Sequence, residues 1–197
     1  MIINHKDKWA FVGVSKTGST AIHRYFDWIP EDHLSFDKWH YTASQMEDDY
    51  PEVRDFYTFG FARNPWDRIA SCYYEFSDSN SDHWEWNSEL KEYKDFEQFV
   101  LDLERSEWYK KIRFAPCSSY LFFDALTPIS HIARYENFDE EMHRIFKEIG
   151  MKYVPNDSRP RKSSRKYENY REEYSIAMKD VIQRLYSFDI NNFKYVF

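Results

Sequence analysis

"KWAFVGVSKTGSTAIHRYF", Lys8 to Phe26, decides the fold. After Lys8 a short apolar, β-rich run closes on a glycine-containing loop, and Ile22 and Phe26 then stand four apart, on one face of a helix. The same grammar returns in "FYTFGFARNPWDRIASCYYEF". There a buried strand leads into a helix with Asn64 as N-cap, Pro65 at the first helical position and Asp67 in the first turn. Two strand-to-helix junctions in so short a chain predict an α/β fold with an open parallel sheet and a ligand at the carboxyl ends of its strands.

The first junction is suited to an anion. Gly13 and Gly18 have the spacing of the phosphate-binding pattern G-x-x-x-x-G-K-[ST], and Thr20 fills its hydroxyl position. Ser19, however, stands where the lysine belongs, and the cation is Lys16, between the glycines. Backbone N–H groups at a helix start point toward an anion, the helix dipole favours negative charge, and the Thr17, Ser19 and Thr20 hydroxyls are further donors. At the second junction Arg63 leaves the strand and Ser71 lies roughly 10 Å along the next helix. A forked guanidinium and a hydroxyl at that spacing can converge on one phosphate. Each feature alone also has a plain structural reading: a tight turn at Gly18, an ion pair at Arg63, packing at Ser71.

Composition narrows the classes. The 197 residues suit one domain, 1–197, and the 20% aromatic content argues against disorder. With 27 basic against 34 acidic residues and a net charge of −7, nucleic acid is disfavoured as a partner. Cys72 and Cys117 are too few for a disulfide framework, and neither belongs to a set with metal-ligand spacing, so no metal is expected. No apolar run reaches the roughly 20 residues of a transmembrane segment, and the start lacks a signal-peptide pattern. The expectation is a soluble, cytoplasmic protein.

Elsewhere a short helix is expected after Thr42, an amphipathic helix in "DFEQFVLDLERS", a short strand in "HIARYENF", a helix capped by Asp139 and stopped by Gly150, and a final helix through "YREEYSIAMKDVIQRLY". Arg159, Arg161, Lys162, Arg165 and Lys166 form the one dense basic segment. No internal repeat or domain linker is evident.

Lys16-Thr17-Gly18-Ser19-Thr20 resembles the 5′-phosphosulfate loop of sulfotransferases that use 3′-phosphoadenosine 5′-phosphosulfate (PAPS), particularly the carbohydrate-modifying branch with its P-K-T-[GA]-[ST]-[ST] pattern. "FARNPWDRIASCYY" resembles their 3′-phosphate segment, with Arg63 and Ser71 at the family's spacing. "WHYTASQM", "IARYENFDEEMHRIFKEIG" and the C-terminal "YREEY…VIQRLYSFDINNFKYVF" are similar too, so the resemblance covers most of the chain. One position departs: Ser15 stands where the family usually has proline.

The resemblance implies a single domain with a P-loop-like parallel β-sheet flanked by helices and a sulfuryl transfer from PAPS to an acceptor hydroxyl, releasing 3′-phosphoadenosine 5′-phosphate (PAP). A transferred sulfuryl group carries less charge than a terminal phosphoryl, so a metal is less necessary. Lys16, inside the loop, is then the electrostatic catalyst for charge growing on the leaving 5′-phosphate. His40, between the two nucleotide segments where the family often carries its catalytic histidine, is the candidate base, with His33 in reserve. His23 falls on the helix after the loop and His143 on a late helix. Thr17, Gly18, Ser19, Thr20, Arg63 and Ser71 bind the nucleotide, and a C-terminal loop implicates Arg161, Lys162, Ser163, Ser164 and Arg165. Arg68 and Glu136 read as structural ion-pair partners. Tyr73, Tyr74, Trp84 and Trp86 could stack on sugar faces, and the acidic character of their segment favours a neutral glycan or small hydroxyl compound over a polyanion.

The competing readings are a nucleotide-dependent kinase or NTPase, disfavoured by Ser19 and by the lack of an obvious magnesium-binding Asp after an apolar strand, and a non-catalytic PAPS- or glycan-binding protein. A serine hydrolase is weaker, because Gly18 comes one residue late for a G-x-S-x-G elbow around Ser15.

Overall fold

A computed structural model describes residues 1–26, 34–35, 40–78, 88–155 and 169–197. In chain order the strands are β1 (Ile2–Asn4), β2 (Trp9–Val12), β3 (Leu34–Ser35), β4 (Tyr57–Ala62) and β5 (His131–Arg134). The helices are α1 (Ser19–Phe26), α2 (Ala43–Asp49), α3 (Pro65–Ser77), α4 (Phe96–Asp102), α5 (Ser118–Leu121), α6 (Phe138–Glu148), α7 (Ile176–Leu185) and α8 (Ser187–Asn192). They fall into two compact units, Met1–Arg63 with Cys117–Pro160 and Asn64–Pro116 with Arg161–Phe197.

The first unit carries the sheet, in the order β3-β1-β2-β4-β5. β2, β4 and β5 are parallel, with Val12 opposite Gly60 and Ala62 opposite Arg134. The expected all-parallel sheet is corrected at one edge: β1 runs antiparallel to β2 and to β3, making the sheet mixed. The reversal is local chemistry. Asn4 Oδ1 accepts the Asp7 N–H at 2.8 Å, Asn4 Nδ2 donates to Asp7 Oδ2 at 3.0 Å, and Lys8 takes a left-handed φ of +56°, so the chain turns back on itself within a few residues.

The core of this unit is aromatic. Trp9, Phe11, Phe59 and Phe61 from the strands meet Ile22 and Phe26 of α1 and Met142, Ile145 and Phe146 of α6. Fully burying a side chain of this size contributes about 2–3 kcal/mol each before the ordering entropy is subtracted. Gly60 sits where nothing larger fits: a Cβ there would lie 2.5 Å from Leu121 Cδ2 and 2.9 Å from the Val12 carbonyl. The helix ends follow local rules. Thr42 makes the capping box of α2 with Gln45, and Gly150, at φ +74°, closes α6 with a Met151 N–H bond to Phe146 O at 2.7 Å. The N-cap of α6 is Asn137 rather than Asp139. Asp139 lies in the first turn, where its carboxylate suits the helix dipole and accepts a hydrogen bond from Tyr153.

The second unit is helical. α3 begins as the sequence predicts, with Asn64 Oδ1 accepting the Trp66 N–H, Pro65 first and Asp67 in the opening turn. Fully buried Arg68 ties it down by donating to the carbonyls of Arg113, Phe114 and Ala115. Tyr73, Phe96, Phe99, Trp108 and Phe114 form a ring-on-ring core. The final helix expected across residues 170–186 is broken. A 3₁₀ turn at Tyr170–Glu173 ends before Ser175, whose Oγ caps α7 by accepting the Met178 N–H, while the Tyr174 hydroxyl donates to Trp66 O.

Candidate functional site

β2 ends at Val12 and the chain turns through Gly13–Gly18 into α1. Two residues of the turn are left-handed, Lys16 at φ +63° and Gly18 at φ +87°. Gly18 is required twice over. A Cβ would be strained by that φ and would stand 2.8 Å from Phe138 Cε2 and 3.3 Å from Tyr135 Cε2. The Gly18 carbonyl accepts the N–H groups of Ala21 and Ile22, opening the helix. First-turn amides of a helix have no intrahelical acceptor, so the end of the turn presents donors of positive character.

The hydroxyls divide into two kinds. Thr17 Oγ1 and Ser19 Oγ both donate to the Val14 carbonyl, at 3.0 and 2.6 Å, and brace the turn from within. Thr20 is exposed at the helix start, and Lys16 is half-buried.

His40 stands against this turn. Its Nδ1 lies 3.2 Å from the Gly13 carbonyl and its Nε2 3.4 Å from Ser15 Oγ. A carbonyl only accepts, so Nδ1 carries the proton, and in the neutral ring Nε2 presents its lone pair toward the Ser15 hydroxyl. That is the protonation pattern a general base needs. His23 differs: it packs in α1 with its ring 5.9 Å from Phe11, and burial lowers its pKa from 6.5 to about 4. It is a neutral core histidine. His143, on α6, packs its ring edge-on to Tyr153 at 4.8 Å.

Arg63, directly after β4, donates from Nη1 to the Lys16 carbonyl at 2.7 Å and lays its guanidinium 4.4 Å from the centre of the Tyr135 ring. The structure therefore brings Lys16, Thr17, Gly18, Ser19, Thr20, His40 and Arg63 together in one unit. Tyr135 and Phe138 are the neighbours that sequence reading missed. Their signal was present: "YENF" follows β5 directly, so its rings emerge at the carboxyl end of a parallel strand.

In the second unit Ser71 lies buried on α3. Tyr73, expected as a sugar platform, is a core residue stacked on Phe99 at 5.0 Å, whereas Tyr74 is half-buried with its ring tilted on Phe96. Arg68, expected as a structural ion-pair partner, is held by the three backbone carbonyls. His33, Trp84, Trp86, Arg159, Arg161, Lys162, Ser163, Ser164, Arg165 and Lys166 lie outside the described residues. No described helix is long and apolar enough to cross a membrane.

The turn has the makings of an anion site. A left-handed glycine opens the helix, and a half-buried lysine stands two residues before it. Neither the curated proteins nor the solved structures contain a match to this chain. Residues 1–196, however, match the family described as "Sulfotransferase family", and over that span, nearly all of its length, the chain belongs to it.

Proposed function

We propose that the chain is one sulfotransferase domain, residues 1–197, that moves a sulfuryl group from PAPS to a hydroxyl of a carbohydrate acceptor and releases PAP. The observation that carries the reading is the imidazole of His40 held against the Gly13–Gly18 turn, with Nδ1 3.2 Å from the Gly13 carbonyl and Nε2 3.4 Å from the Ser15 hydroxyl. A ring nitrogen that presents its lone pair to a hydroxyl beside an anion-binding turn suits a reaction in which an acceptor hydroxyl loses its proton as it attacks.

In this reading the donor supplies the activated sulfuryl group, and the protein supplies position and charge. Lys16 stabilises the negative charge that grows on the 5′-phosphate as the sulfuryl oxygen bond breaks. His40 Nε2 takes the acceptor's proton, while its Nδ1–H stays on Gly13 O. Thr17, Gly18, Ser19 and Thr20 shape the 5′ end of the nucleotide site. Arg63 and Ser71 are assigned to the 3′-phosphate by the resemblance, as are Arg161, Lys162, Ser163 and Ser164 of the basic segment. In this reading no metal takes part, and the location is cytoplasmic.

The test is transfer of labelled sulfate from PAPS across a panel of glycans and small alcohols. The wild type should transfer, and Lys16→Ala and His40→Ala should each lose about 10²-fold or more in kcat. PAP binding should be largely preserved in both variants. A protein that binds PAP but transfers to nothing is a binding protein, and turnover that needs ATP and Mg²⁺ while ignoring PAPS points to a kinase.

A further inference from the structure

Arg63 and Tyr135 leave neighbouring parallel strands at the same level, because each directly follows one member of the Ala62–Arg134 pair. From there the two residues reach the turn together. Arg63 Nη1 holds the carbonyl of Lys16 at 2.7 Å, and the same guanidinium lies on the Tyr135 ring. The Tyr135 and Phe138 rings close on the Cα of Gly18, and Phe138 is itself packed on Phe61 with ring centres 5.0 Å apart. The turn is thus gripped on both sides of Thr17. Lys16 needs that grip: a left-handed lysine is strained and persists only where its surroundings hold it.

We propose that Arg63 and Tyr135 act as a positioning pair that holds the Lys16–Gly18 turn in its nucleotide-binding conformation, a role separate from any contact with a 3′-phosphate. The proposal rests on the sulfotransferase reading above. Its consequence is specific. Removing Arg63 should weaken ligands that have only a 5′-phosphosulfate, although such ligands offer nothing for a 3′-phosphate contact.

Titration calorimetry on the full chain with PAPS, PAP and adenosine 5′-phosphosulfate, which lacks the 3′-phosphate, separates the roles. Arg63→Ala should weaken adenosine 5′-phosphosulfate by about tenfold, the usual scale for losing one charge-assisted hydrogen bond. Tyr135→Ala should do the same, Tyr135→Phe should bind like the wild type, and the double alanine variant should be no weaker than either single one for this ligand. Arg63→Lys keeps the charge but not the planar fork, so a thermal midpoint near wild type with weakened adenosine 5′-phosphosulfate binding supports the pair even if Arg63→Ala does not fold. Full retention of adenosine 5′-phosphosulfate binding in Arg63→Lys and Tyr135→Ala, with loss of PAPS and PAP alone, would overturn the proposal while leaving the sulfotransferase reading intact. A wild type that binds none of the three nucleotides overturns both.

Discussion

Ser15 Oγ stands 3.4 Å from His40 Nε2, so the residue that departs from the family's usual proline faces the candidate base. A proline there offers no hydroxyl to the imidazole. In this chain the resting partner of Nε2 is a serine whose side chain is buried. Replacing it by alanine removes one neutral hydrogen bond, worth about 1 kcal/mol, and loosens the hold on the ring. Ser15→Ala should lower kcat by up to about tenfold and leave the KM for PAPS unchanged. Steady-state kinetics with both substrates varied checks this, and a rise in KM for PAPS with kcat intact would assign Ser15 to the donor site instead.

Gly18→Ala combines a left-handed φ with a Cβ 2.8 Å from Phe138. The expected loss is about 1–3 kcal/mol in unfolding free energy, together with loss of PAP binding. Adding Phe138→Leu should restore only part of it, because the smaller side chain relieves the crowding but not the backbone strain. Urea unfolding and PAP titration of the single and double variants read the two contributions separately.

Arg68 is expected to matter for stability rather than chemistry. Arg68→Met leaves the carbonyls of Arg113, Phe114 and Ala115 without their guanidinium donor in a buried place, which should cost roughly 2–5 kcal/mol. Denaturant midpoints should fall while PAP affinity of the remaining folded protein stays within about twofold. A variant as stable as wild type would show that water or a rearranged chain satisfies those carbonyls.

His23 sets a pH dependence. Burial holds its folded-state pKa at about 4, below the unfolded value of 6.5. Between those values the unfolded chain binds a proton that the folded chain refuses. Stability is therefore fully present above pH 6.5 and is lost as pH falls toward 4. Thermal midpoints measured down this range should decline less steeply in His23→Gln than in the wild type.

What the sequence revealed was what neighbouring residues decide. Asn64, Pro65 and Asp67 start α3 because the cap, the fixed proline φ and the dipole act within one turn. The loop between Gly13 and Thr20 was legible for the same reason. β1 was missed because three residues carry little periodicity, although the Asn4–Asp7 turn that reverses the chain was written in the sequence. The helix through Tyr174 was misread because a remote acceptor, Trp66 O, holds that tyrosine outside the helix while Ser175 restarts it. Asp139 looked like a cap, but the chain enters α6 from a 3₁₀ turn at Tyr135–Asn137, which moves the helix start back. Tyr135 and Phe138 could not be assigned to the turn without the register of β4 and β5, which no local pattern encodes.

The Ala62–Arg134 rung of the sheet has a consequence for how this chain can tolerate changes in length. Arg63 and Lys16 are 47 positions apart in sequence, and Tyr135 is more distant still, yet all three meet because the strands beneath them are in step. A single residue inserted within β4 or β5 would slip that step and separate the arginine from its ring. Insertions and deletions should instead be borne by the exposed connections between the packed elements of the excursion from Asn64 to Ser130, whose length no rung of the sheet measures.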